Sequence, residues 1–135
     1  MKKKKILIVC SAGKNRSRYV ANYLRRKGYS TRFGGVKESE IINPVNPKYI
    51  EWADLIIFAQ EKQKKWFVEK FGDFKKNYLI LDVRDSGHDV PEDKKYLLKL
   101  PKKEFNRVWV HPNLRKKLKE FKLVKWNKNS YPLKY

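Results

Sequence analysis

The chain has 135 residues, 34 of them Lys or Arg and 14 Asp or Glu, for a formal net charge of +20 at pH 7. Its 41% hydrophobic and 14% aromatic content is enough to build one compact domain, expected over 1–135, and argues against disorder. One cysteine excludes an internal disulfide and a Cys/His zinc cluster, so a reducing, cytoplasmic setting is the expectation, and no apolar run is long enough to span a membrane.

Lys2 to Lys5 precede the apolar run Ile6-Leu7-Ile8-Val9, which is far shorter than a secretory core and reads instead as a buried strand ending at Cys10. A loop through Gly13 follows. A helix is expected from near Arg16, with Val20 and Leu24 on one face and Gly28 as its stop. Asn46-Pro47 is a cap and first turn for a short helix carrying Ile50 and Trp52. Asp54 to Ala59 is a continuous apolar strand, and Trp66, Phe67, Val68 and Phe71 form the apolar stripe of a basic helix stopped by Gly72. Tyr78 to Leu81 is the fourth strand. A polar stretch then leads to Pro91-Glu92-Asp93, which opens a helix bearing Leu97, Leu98 and Leu100, with Asp89 as its cap. This alternation predicts an α/β fold, a three-layer sandwich with a four-stranded parallel sheet flanked by helices on both faces. Residues from about 101 to 135 read as a basic extension in which Trp109, Trp126, Tyr131 and Tyr135 interleave with lysines, available to pack on the sheet or to stack on bases.

Chemistry concentrates in Cys10-Ser11-Ala12-Gly13-Lys14-Asn15-Arg16-Ser17, a Cys-x5-Arg-Ser loop between a strand and a helix. Such a loop aims backbone N–H groups at an anion, and the following helix adds the positive end of its dipole. The planar fork of Arg16 can hold two phosphate oxygens at once. The same positive potential favours the thiolate of Cys10, which makes it a phosphoryl-accepting nucleophile. Ser11, Ala12, Gly13, Lys14, Asn15, Arg16 and Ser17 are the expected substrate cradle. The blander alternative is that a lone cysteine ending a core strand serves as a small buried hydrophobe.

Expelling an alkoxide or phenoxide requires a proton donor, and in open α/β sheets sites form outside the carboxyl ends of the strands. Asp82 and Asp85 both follow the fourth strand. Either is a candidate acid; the alternative for Asp82 is a cap on the strand, and for Asp85, the favoured acid, an ordinary turn residue before Ser86-Gly87.

The Cys10 to Ser17 loop resembles the hallmark of the low-molecular-weight protein tyrosine phosphatases, and the likeness extends over roughly residues 5–100. Arg18 to Leu24 resembles the family's first helix, Thr31 to Val36 its second strand and turn, Ala53 to Ala59 its third strand, and Leu79 to Asp85 its fourth strand and acid-bearing loop. The resemblance implies a phosphomonoesterase acting on phosphorylated proteins through a phosphocysteine, with Cys10 as nucleophile, Arg16 as phosphate clamp, Asp85 as general acid and Ser17 steadying the thiolate. It implies no metal and no cofactor. Ssu-type phosphatases, which act on the RNA polymerase tail, share a similar loop in longer chains. Arsenate reductases on this fold relay oxidation through additional cysteines, which are absent here.

Departures from the family pattern bear on the substrate. Ser86-Gly87-His88 stands where aromatic residues usually sandwich a phosphotyrosine ring, leaving Tyr49 as a substitute pocket residue or a core or surface one. Arg18 replaces the usual proline and is free to meet an anionic substrate or solvent. Gly13 replaces an asparagine of left-handed conformation, which glycine adopts without steric penalty. His88 and His111 have no partner at metal-ligand spacing and are expected at the surface. The charge, dense at Arg115, Lys116, Lys117 and Lys119, attracts polyanions. It fits a phosphatase with an acidic or nucleic-acid-associated substrate, a nucleic-acid binder on a phosphatase-like fold, or lysine-rich compositional drift.

Overall fold

The computed structural model describes residues 4–122. Four parallel strands, β1 (Lys5–Cys10), β2 (Ser30–Gly35), β3 (Leu55–Phe58) and β4 (Asn77–Ile80), lie in the order β2-β1-β3-β4. Between them run α1 (Arg16–Arg26), α2 (Pro47–Trp52) and α3 (Glu61–Phe71), and α4 (Lys102–Phe105) and α5 (His111–Glu120) follow. This is the three-layer α/β arrangement expected from the alternating pattern.

The central strand shows why the layers form. Side chains alternate across a strand, so Ile6 and Ile8 join one buried cluster with Val20 and Leu24 of α1 and Leu114 and Leu118 of α5. Leu7 and Val9 join the opposite cluster with Phe58 and with Phe67 of α3. All four β1 side chains are essentially inaccessible, and each such side chain contributes about 1.5–3 kcal/mol relative to exposure. Helix ends follow local chemistry. Gly28, at φ 104°, ends α1 with its N–H donating to the Arg25 carbonyl at 3.0 Å. Asn46 caps α2 by accepting from the Lys48 N–H at 3.0 Å, with Pro47 at the first turn.

Three expectations change. Residues Glu92–Lys99 form a 3-10 helix, and Asp89 does not cap it: its carboxylate faces Arg84 at 3.9 Å. Leu98 and Leu100 are largely exposed and only Leu97 packs on the core, so the segment lacks the buried stripe that would hold an α-helix in place. In α3 the fully buried face is Gln63 and Phe67, while Trp66, Val68 and Phe71 are partly covered. The largest difference lies beyond residue 101. Phe105, Val110, Leu114 and Leu118 are buried in the cluster against α1, with Trp109 packed beside them, so residues 102–120 complete one face of the sandwich rather than extend from it. Trp126, Tyr131 and Tyr135 lie outside the described residues. Among the described residues no helix is long and apolar enough to cross a membrane.

Candidate active site

The loop from β1 into α1 is held by its neighbours with its carbonyls turned outward. Ser11 O accepts from the N–H groups of Val36 and Lys37 at 3.0 and 3.1 Å, and Ala12 O accepts from those of Ile42 and Asn43, both at 3.0 Å. Gly13 has φ 80°, and a Cβ there would fall on the Asn43 carbonyl and the Gly35 amide. Glycine is therefore required twice over, by backbone conformation and by space. Gly35 does the same for β2, where a Cβ would strike the backbone of Ser11 and Ala12.

Cys10, at the end of β1, is buried beneath this loop. Its Sγ lies 3.0 Å from Ser17 Oγ and accepts a hydrogen bond from the Gly13 N–H at 3.3 Å. Arg16 is equally buried, with its side chain 3% exposed. Its Nη1 donates to Gln60 Oε1 at 2.6 Å and to the Val83 carbonyl at 2.9 Å, which fixes the guanidinium plane. Its Nε has no hydrogen-bond partner and stands 3.6 Å from Asp85 Oδ2. A buried guanidinium with an unused donor is costly unless a ligand completes it.

A cavity of about 370 Å³ opens above these groups, lined by Cys10, Ser11, Ala12, Lys14, Asn15 and Arg16. Asp85 lines the same cavity with a half-exposed carboxylate, while Asp82 does not. Asp82 has φ 58° and faces a separate cavity of about 250 Å³ beside Trp109 and Lys116. Asp82 adopts this left-handed conformation three residues before Asp85, the carboxylate that faces Arg16. At Gly87 a Cβ would meet the end of the Leu98 side chain. Gly13 and Ser17 are not on the cavity lining and reach Sγ from below.

The remaining lining is Lys37, Glu40, Ile42, Lys62 and Lys102. Lys37 pairs with Glu40 at 2.6 Å, and Lys37 and Lys62 both sit against the Trp66 ring. Tyr49 is elsewhere, packed with Trp52 and under Arg32 in the second cluster. Arg18 is exposed and does not line the cavity. His88 is exposed, 3.1 Å from Ser86 Oγ. His111 is not a surface residue: it is half-buried and stacks on Tyr19 with 3.9 Å between centroids and 7° between planes. Burial, reinforced by nearby Arg115, holds its imidazole below the usual histidine value. Arg115, grouped by sequence with a basic block, donates to Tyr19 Oη at 2.7 Å. Asn15 meets His111 and Asn106 across the domain, its Nδ2 donating to Asn106 Oδ1 at 3.3 Å and its Oδ1 lying 3.4 Å from His111 Nε2.

Two glutamines escaped the sequence reading. Gln60 holds Arg16, and fully buried Gln63 donates from Nε2 to Ser11 Oγ at 3.0 Å. Gln60 lies two residues past the end of β3, at the strand end where sites of open sheets form. Among the described residues no three His, Cys, Asp or Glu side chains gather as a metal site.

No family model matches the chain, and no curated protein matches it by sequence. Solved structures do share its fold. An arginine phosphatase, YwlE, from Geobacillus stearothermophilus is 21% identical over 86% of this chain and 88% of its own, with a TM-score of 0.59. The Erwinia amylovora tyrosine phosphatase amsI is 14% identical, covering 88% and 91%, at a TM-score of 0.59. The low-molecular-weight protein tyrosine phosphatase of Streptococcus pyogenes is 13% identical, covering 93% and 95%, at a TM-score of 0.55. With a four-stranded parallel sheet in the order β2-β1-β3-β4 and a Cys-x5-Arg loop at the end of its central strand, the chain has the fold of the low-molecular-weight protein tyrosine phosphatases.

Proposed function

We propose that this protein is a cysteine-dependent phosphatase that hydrolyses phosphate monoesters on proteins through a phosphocysteine intermediate. The observation that carries the reading is the buried pairing of Cys10 Sγ with the Gly13 N–H and Ser17 Oγ, beneath a cavity lined by Arg16, whose Nε faces Asp85 at 3.6 Å without a hydrogen bond. In the first step Sγ attacks phosphorus in line, the S–P bond forms as the P–O bond breaks, and Asp85 protonates the departing oxygen. Loop N–H groups and Arg16 take up the charge of the equatorial oxygens. In the second step Asp85 accepts a proton from water as that water attacks phosphorus, and Sγ leaves with the electrons of the S–P bond, steadied by the Ser17 hydroxyl. No step calls for a metal or an organic cofactor.

The cavity rim favours an acidic protein segment over a bare aryl phosphate. Lys14, Arg16, Lys37, Lys62 and Lys102 are opposed by only Glu40 and Asp85, and Ile42, 63% exposed, supplies apolar lining where no aromatic side chain stands. Attraction between such a rim and carboxylates flanking a phosphorylated residue strengthens the encounter at low ionic strength. Solved proteins of this fold include an arginine phosphatase and tyrosine phosphatases, so the fold itself leaves the phosphorylated residue open. A nucleic-acid-binding reading draws on net charge and on aromatic residues of which Trp109 packs against the core and Trp126, Tyr131 and Tyr135 lie outside the described residues.

The purified protein, kept in a metal chelator, is expected to hydrolyse a generic aryl phosphate, with inorganic phosphate and vanadate inhibiting competitively. Absence of turnover by folded protein with reduced Cys10 would remove this reading.

A further inference from the structure

We infer that the mouth of the Cys10 cavity takes a second phosphoryl group beside the scissile one, held by Lys14, Lys62 and Lys102, so that the preferred substrate is a doubly phosphorylated protein segment. The inference rests on the phosphatase reading of that cavity and narrows its substrate.

Net charge does not account for these lysines. In a chain of formal charge +20 an excess of cations would be expected around any cavity, yet the other cavities are balanced. The one beside Trp109 is lined by three basic and three acidic side chains, the one beside Phe74 by two basic and three acidic, and the one beside Trp66 and Lys70 by two of each. Of these four, the Cys10 cavity alone carries an excess, five cations against two carboxylates. Both carboxylates are already engaged, Glu40 with Lys37 at 2.6 Å and Asp85 facing Arg16 at 3.6 Å. Lys14, Lys62 and Lys102 are left over. None of them forms an ion pair among the described residues, and Lys62 meets only the Trp66 ring, 5.8 Å from its centroid.

The three arrive from separate elements, Lys14 from the phosphate loop, Lys62 as the second residue of α3 and Lys102 as the first of α4. Helix stability does not call for Lys62, since a cation in the first turn of an 11-residue helix opposes the helix dipole. The scissile group has its own partners in the loop amides and Arg16, so these ammonium groups are surplus to it. A lone carboxylate would set one negative charge against three positive ones. A phosphorylated side chain brings nearly two charges and three strong acceptor oxygens. Ammonium groups, compact charges with rotatable donors, suit a second group whose approach follows the bound segment rather than a fixed plane. Ile42, exposed on the same cavity, offers apolar contact to the chain between the two phosphoryl groups.

The test uses phosphonates, whose P–C bond the protein cannot hydrolyse, as competitive inhibitors of aryl phosphate turnover at low ionic strength. Phenylphosphonate fills the first position, the ortho, meta and para phenylene bisphosphonates add a second group at three separations, and the matching carboxyphenylphosphonates add a carboxylate instead. At least one bisphosphonate is expected to bind about 5- to 20-fold tighter than phenylphosphonate, counted per phosphonate group, the scale of two or three exposed ion pairs. The Lys62→Gln/Lys102→Gln variant should lose most of that gain. The Lys64→Gln/Lys65→Gln variant, which removes the same charge from the cavity beside Phe74, should keep it. No gain for any isomer, an equal gain from the carboxylate, or an equal loss in both lysine variants overturns the proposal. A doubly phosphorylated peptide should likewise outcompete its singly phosphorylated form; its failure to do so, or competition by an oligonucleotide with the same dependence on Lys62 and Lys102, overturns the assignment to a protein segment. If the folded protein turns over no aryl phosphate, the phosphatase reading itself falls; if it does and the second group gains nothing, only this inference does.

Discussion

Replacing Cys10 with serine is expected to lower turnover of an aryl phosphate by about 10⁴–10⁶-fold, the scale of loss when an enzyme's nucleophile is removed. Phosphate binding should survive. The outward carbonyl bonds of Ser11 and Ala12, the left-handed Gly13 and the Arg16 guanidinium anchored on Gln60 and Val83 do not depend on sulfur. Steady-state rates together with phosphate calorimetry check both halves. A Cys10→Ser protein within about tenfold of the parent rate would show that the thiol is not the nucleophile.

Asp85→Asn is expected to slow hydrolysis of an alkyl phosphate by about 10²–10⁴-fold, with a smaller loss for an activated aryl phosphate whose leaving oxygen needs no proton. Asp82→Asn is the matched control. Asn tolerates the left-handed conformation that Asp82 adopts at φ 58°, so the turn survives the exchange while the charge is lost. Rates of both variants across a series of leaving groups give the comparison. Equal sensitivity at Asp82, which faces a different cavity from Cys10, would contradict the assignment of Asp85.

The signals that mark Cys10, Arg16 and Ser17 as candidates are local. A buried strand, one cysteine, a glycine and Arg16-Ser17 fall within twelve residues, Ile6 to Ser17, and strand alternation placed the sheet with little ambiguity. The family resemblance favoured Asp85 over Asp82 as the acid, but the different surroundings of the two, Asp85 on the Cys10 cavity and Asp82 at φ 58° on another, could not be read from three residues of local sequence. The supporting shell was hidden for a different reason. Gln60 and Gln63 are neutral amides, and nothing in their spacing marks them as partners of Arg16 and Ser11. In the C-terminal segment Val110, Leu114 and Leu118 repeat at four, but Phe105 precedes Val110 by five, because a π turn, Asn106–Val110, lies between them. That single interruption breaks the helical period, and a lysine-rich stretch with a broken period reads as an appendage. The same interruption brings Asn106 and His111 to the phosphate loop.

Chemical quench of Asp85→Asn during turnover of an aryl phosphate, followed by peptide mass analysis, tests the central claim most directly. An activated leaving group allows the first step without the acid, whereas hydrolysis still needs the base, so the intermediate accumulates. The account predicts one phosphoryl group on the peptide containing Cys10, lost on longer incubation and absent from the Cys10→Ser protein. Turnover that proceeds with no phosphoryl group on Cys10 at any quench time, or with the label on another residue, would contradict it.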